Sequence, residues 1–117
     1  MSDNTIEQQL IDKGLTAARV TPVQIDYLMS QVTYWVKHVE GTTNTIAIAL
    51  DANKFPLASE ISGCASPENF DAEIGEQIAL SDCKAAAREE LWRLEGYKLK
   101  REISKPRVNA LTKDLHI

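Results

Sequence analysis

Two residue types in this chain could support nucleophilic chemistry, a thiol and an imidazole. Cys64 stands in Gly63-Cys64-Ala65-Ser66-Pro67-Glu68-Asn69-Phe70-Asp71, just ahead of a helix start. A thiol near a helix N-terminus can ionise more easily, and a nearby histidine could then act as its base. His38 is the candidate base, but one cysteine and one histidine without fixed spacing make a weak signal. A small, buried residue at a strand end accounts for Cys64 more simply. Glu68, Asp71 and Glu73 could form an acid/base or metal cluster, yet no histidine lies beside them in the sequence. The same acids also favour the positive end of a helix dipole. They compete with phosphate for that end, which argues against an anion site. The two cysteines, Cys64 and Cys83, and two histidines, His38 and His116, match no zinc spacing. The expectation is no catalytic residues, no metal and no cofactor.

The elements that would position these residues follow from the pattern. Ile6, Leu10 and Ile11 recur at helical spacing, and Gly14 closes a short helix. Thr21 caps and Pro22 starts a second helix over 22–32, with Ile25, Leu28, Met29 and Val32 on one face. Thr33–Val39 is rich in aromatic and β-branched residues and reads as a strand. Thr45–Leu50 alternates cleanly: Ile46, Ile48 and Leu50 on one face, Thr45, Ala47 and Ala49 on the other. Phe55–Ser62 is the third strand, and Pro56 puts its start at an edge or bulge. Short turns between neighbours favour an antiparallel meander.

From Ser66 onward the period becomes helical. Ser66 is read as the cap and Pro67 as the first helical residue. Phe70, Ile74, Ile78, Ala85 and Trp92 make one stripe, and Leu80, Ala87, Leu91 and Leu94 a second. Between them runs a line of small residues, Gly75, Ala79, Cys83 and Ala86, which lets a sheet approach closely. Gly96 is the expected stop, 97–103 is open between helix and strand, and Pro106 is expected to end regular structure. The fold class is therefore α+β: N-terminal helices, a three-stranded antiparallel meander, and a long C-terminal helix packed on the sheet. The expected divisions are an N-terminal segment 1–20, one domain 21–103 and a tail 104–117.

The totals exclude several classes. The 117 residues suit one domain with its own core. The chain is 44% hydrophobic and 26% charged, ordinary values for a globular protein. A net charge of -4 opposes nucleic-acid binding over the whole surface. The polar start MSDNTIEQQL is unlike a signal peptide, and no window reads as a membrane span. Reduced thiols and a cytoplasmic setting are expected. Contact residues are expected instead. Tyr34 and Trp35 point to opposite faces of one strand, so one of them is exposed. The basic run Lys98, Lys100, Arg101, Lys105 and Arg107 is a solvated face or a contact for an acidic protein or nucleic acid. The uncovered sheet face or the long helix could support self-association.

Four stretches share a familiar order: EQQLIDKGLTAARVTP, YWVKHVEGTT, SGCASPENFDAEIG and LWRLEGYKLKREI. Over residues 7–103 the chain resembles the small tailed-phage protein family named after gene products of phages N4 and Sf6. CASPENFDAEIG followed by LEGY is the most specific part. Lys84–Glu90 is extended relative to shorter members. The resemblance implies phage or prophage origin and action in the host cytoplasm. It carries no enzyme activity, cofactor or catalytic role onto Cys64, Asn69, Asp71 or Glu95. By analogy with other small phage proteins, the expected function is binding and inhibiting a host protein, such as a component of anti-phage defence. The alternative is a small-molecule or nucleic-acid binder, for example one that sequesters a nucleotide signal. The partner-binding candidates are Tyr34, Trp35, Cys64, Asn69, Tyr97, Lys98, Lys100 and Arg101.

Overall fold

The computed structural model describes residues 2–115, with side chains from Ser2 to Ser104. Two short helices, α1 (Asp3–Asp12) and α2 (Pro22–Ser30), precede three strands, β1 (Thr33–His38), β2 (Asn44–Leu50) and β3 (Pro56–Gly63). A single 3-10 turn (Pro67–Asn69) leads into α3 (Ala72–Leu115). The sheet is an antiparallel meander in the order β1-β2-β3. The α+β architecture and the meander match the sequence expectation.

Each element has a local cause. Ser2 and Thr21 cap α1 and α2 by accepting from the N–H groups of Thr5 and Gln24, both at 3.2 Å. The β1–β2 turn places Gly41 at φ +80, a backbone region where glycine is unstrained. In the β2–β3 turn Asp51 Oδ1 accepts from the N–H groups of Asn53 (2.7 Å) and Phe55 (2.9 Å). Leu57 is the extra residue of a bulge opposite Ala49 and Leu50. The bulge lets both Leu57 and Ala58 join the core side.

The sheet has two unequal faces. Thr45, Ala47 and Ala49 of β2 are fully buried beneath α3. Along α3, Gly75, Ala79, Cys83, Ala87 and Leu91 are buried at a spacing of four residues. A four-residue row is a natural ridge of a helix. Here the ridge is almost bare of side chain, so the helix backbone lies close to β2. A Cβ added at Gly75 would stand 2.8 Å from Thr45 Oγ1. The small-residue line expected from the sequence is thus the packing seam, with Ala87 rather than Ala86 continuing it. Ile74 and Ile78 of the first stripe are exposed instead. Ile25 of α2 is fully buried, and Leu28 and Met29 pack on the same core.

The start and end of α3 depart from expectation. Ser66 makes no side-chain cap bond. Asp71 caps instead, its Oδ1 accepting from Ile74 N–H at 3.0 Å. Phe70 decides between them: its extended backbone breaks the helix, and its ring rests on His38, centroids 4.9 Å apart. At the other end α3 runs through both Gly96 and Pro106 to Leu115. A helical glycine costs about 1 kcal/mol. The bond from Gln24 Nε2 to Glu95 Oε1 (2.7 Å) and the packing of Leu94 on the core hold the helix beside Gly96. Pro106 lacks one N–H and removes one rung of the ladder, which resumes beyond it. Residues 97–103 are therefore helical. At 44 residues, α3 is about 66 Å long.

Arg88 ties the helical layer together. Its Nε and Nη2 donate to Asp3 Oδ2 at 3.0 and 2.7 Å, and its Nη1 meets Asp26 Oδ1 at 2.9 Å. Trp92 Nε1 also donates to Asp3 Oδ2, at 3.2 Å. Asp3 belongs to α1, Asp26 to α2 and Arg88 to α3, so one guanidinium joins three helices.

The seam can be tested by a double-mutant cycle. Gly75→Ala adds helix propensity worth about 1 kcal/mol but meets overpacking of about 1–3 kcal/mol, a net loss of about 1 kcal/mol. Introduced into Thr45→Ala, the same change is expected to stabilise, because the obstructing hydroxyl has gone. Urea denaturation of the four proteins reads this directly. The same sign in both backgrounds would contradict the seam.

Candidate functional site

The eight contact candidates do not converge. Tyr34 lies on the helix side of β1, half-buried, with Lys84 Nζ 5.6 Å from its ring centroid. Trp35, its neighbour, lies on the opposite face and is 51% exposed. Cys64 and Asn69 sit at the β3–α3 junction. Tyr97, Lys98, Lys100 and Arg101 are carried by α3, Tyr97, Lys98 and Arg101 on its exposed surface and Lys100 likewise. The side chains of Lys105 and Arg107 lie outside the described residues, as does His116.

At the junction, Cys64 is a structural joint. Its N–H donates to Thr43 carbonyl at 3.2 Å, and Thr43 Oγ1 donates to the Cys64 carbonyl at 2.6 Å. The thiol donates to Ser66 carbonyl at 3.1 Å. His38 Nε2 donates to Thr42 carbonyl at 2.5 Å, which commits that nitrogen to carrying a proton. The bonds of the two candidates lead to different backbone groups. Asn69 is exposed, and its N–H donates to Ser66 carbonyl at 3.1 Å. Among the described residues, no group of three or more His, Cys, Asp or Glu could hold a metal ion. No described helix is long and apolar enough to cross a membrane.

On the helix side of the sheet, burial pushes the Cys83 thiol up from its usual 9.0, and the Glu60 carboxylate adds to this. Burial also raises Tyr34, with a smaller contribution from Cys83. These two groups are core, held protonated by their surroundings.

On α3 the structure separates the basic run. Arg93, Tyr97 and Arg101 recur every four residues and share one face. The Arg93 side chain is 80% exposed and Tyr97 is 64% exposed. The Arg101 guanidinium lies 5.9 Å from the Tyr97 ring centroid, a cation–π arrangement. Lys98 turns instead toward a notch between α2 and α3, lined by Arg19, Gln24, Glu95 and Glu102. Sequence reasoning misses Arg93, although its four-residue offset from Tyr97 is the signal that finds it.

The second surface is the outer face of the sheet, the uncovered face that the sequence leads one to expect. Ile46, Ile48 and Leu50 are only partly buried, and Ile61 is 66% exposed. With Trp35 they form an apolar face with α3 on its far side. The alternation in β2 marks this set, but not which face the helix takes.

The two thiols are expected to react differently. In native protein at pH 8, a disulfide reagent is expected to titrate Cys64 and leave Cys83 protected until denaturant is added. Two fast native thiols would contradict the core placement. Cys83 and Tyr34 are neutral acids whose ionisation the fold resists. The unfolded chain releases their protons first, starting from the usual 9.0 and 10.0. Their contribution is whole below that range and is lost as pH rises through it. Tyr34→Phe and Cys83→Ala are expected to flatten the alkaline fall in stability, read by urea midpoints between about pH 8 and 11. An unchanged slope in both would contradict it.

Comparison with known families places residues 20–103 on one family model. Comparison with curated proteins and with solved structures finds no match. The match starts at Val20 and so leaves α1 outside, while covering α2, the sheet and α3 up to Ile103. It includes the Arg93–Tyr97–Arg101 face and the whole packing seam. The chain therefore belongs to the phage protein (N4 Gp49/phage Sf6 gene 66) family.

Proposed function

We propose that this phage-family protein is non-enzymatic and acts in the host cytoplasm by binding and inhibiting a host protein. The observation that carries the reading is the Arg93–Tyr97–Arg101 face of α3. Arginine and tyrosine are enriched at the energetic centres of protein interfaces. Here both are exposed, pre-arranged against each other, and carried on a rigid helix. α3 also outruns the sheet: β3, the longest strand, has 8 residues and spans about 27 Å. The face therefore sits in the middle of α3, just beyond the roughly 18 residues that lie along the sheet. Two arginines favour a partner with an acidic patch. Lys100, one turn from Tyr97, extends the positive edge.

Nucleic acid is the second reading, supported by the same positive charges. Glu90, Glu95 and Glu102 interleave with them and weaken that field. Protein and nucleic acid separate by experiment. Tagged protein is incubated with nuclease-treated host lysate, and the captured partner is purified and titrated. The Tyr97→Ala/Arg101→Glu variant, checked for helix content by circular dichroism, is expected to lose at least about tenfold in affinity. Equal capture by both proteins, or no specific partner across conditions, would reject the proposal. Binding to DNA or RNA that falls steeply with salt would favour the second reading.

A further inference from the structure

We infer that the outer face of the sheet is the interface of a homodimer, in which two copies stack sheet against sheet with their long helices on the outside. The face is built for burial yet no described residue of the chain covers it. α3 packs on the other side, α2 packs on α3, and α1 is tied to α3 through the bonds of Asp3 to Arg88 and Trp92. The larger aliphatic residues of β2 are the ones left facing out, while its alanines face in.

The cross-strand register shows why a second copy fits. One row across the face is Trp35–Ile48–Ser59, running from large to small. The next is Lys37–Ile46–Ile61, and the one on the other side is Thr33–Leu50–Pro56. Aligned sheets pack about 10 Å apart. A two-fold axis running along β2 exchanges β1 with the β3 of the second copy and keeps the rows in step. Trp35 then stands over a serine, Ser59 of the second copy, and Ile48 meets its own symmetry mate. Lys37, the one charged strand residue on this face, lies toward an isoleucine and away from its own symmetry mate. An axis across the strands would instead set Trp35 against Trp35 and serine against serine, leaving a clash and a gap. The face is thus self-complementary in one arrangement.

Nine outward side chains on three strands supply the contact, led by Trp35 at 51% and Ile61 at 66% exposed, where a specific dimer needs about 600 Å² from each copy. In this arrangement the two Arg93–Tyr97–Arg101 faces remain free on opposite sides, but the dimer does not depend on their function.

The test is sedimentation equilibrium of the full chain over about a hundredfold range of micromolar concentration, where specific interfaces of this size associate. Chains of 13.0 kDa are expected to associate to a two-fold mass. Ile48→Glu sets two carboxylates face to face and is expected to weaken association at least tenfold. Ser59→Trp fills the space opposite Trp35 and is expected to weaken it similarly. The swap Trp35→Ser with Ser59→Trp restores the pairing of large with small, and is expected to recover the dimer. Circular dichroism checks that each variant is folded, and Ser59→Trp keeps the test decisive if Ile48→Glu does not fold. A monomer at every concentration overturns the inference. So does a dimer indifferent to Ile48→Glu or Ser59→Trp, or a swap that fails to restore association.

Discussion

The structure depends on how closely α3 approaches β2. The row Gly75, Ala79, Cys83 and Ala87 presents almost no side chain, and the face of β2 beneath it presents Thr45, Ala47 and Ala49. A helix with large residues on that row would stand farther off and leave the alanines in a gap. Close packing of this kind tolerates little change in volume. It has a cost at one point. Thr45 Oγ1 is buried without a hydrogen-bond partner among the described residues, and it sits where a Cβ on residue 75 would be. An unsatisfied buried hydroxyl costs about 1–3 kcal/mol. Dispersion attraction between helix and strand, summed along the seam, has to exceed this.

That constraint sets what the outside of the molecule looks like. Because the small face of β2 is taken by the helix, Ile46, Ile48 and Leu50 face outward with Trp35 and Ile61. A sheet in a layered domain ordinarily turns its more hydrophobic face to the helix. Here the order is reversed, so the best apolar surface is available to another chain. The same long helix then carries the Arg93–Tyr97–Arg101 face. One packing decision therefore produces two separate surfaces, one apolar and flat, one charged and narrow. The polar joint at Arg88 fixes α1 and α2 to α3 and keeps both off the outer sheet face.

Local elements were legible where local physics governs. The alternation of β2 and the Thr21-Pro22 start of α2 appear in the structure where the pattern put them, as do Gly75, Ala79 and Cys83 of the small line on α3, which Ala87 rather than Ala86 continues. The start of α3 was not legible, because Ser66 and Asp71 are both good caps five residues apart. The contact of Phe70 with His38, more than thirty positions away in sequence, selects Asp71. The far end was misread because Gly96 and Pro106 are breakers only on average. Their costs are small beside the continuity of a helix held by Glu95 and Leu94. Of the contact candidates, Trp35, Asn69, Tyr97, Lys98, Lys100 and Arg101 are exposed, while Cys64 is half-buried and Tyr34 turns inward. The choice between Tyr34 and Trp35 needs to know which face of the sheet the helix takes. Strand alternation alone shows that they differ.

The central claim is that α3 lies on the small face of β2 and leaves the large face outward. Methyl nuclear Overhauser spectroscopy on alanine- and isoleucine-labelled protein tests it most directly. The account expects cross-peaks linking the alanine methyls of α3, Ala79 and Ala87, to Ala47 and Ala49. It expects none from those methyls to Ile46 or Ile48. Cross-peaks from α3 to Ile46 and Ile48, with Ala47 and Ala49 silent, would contradict it.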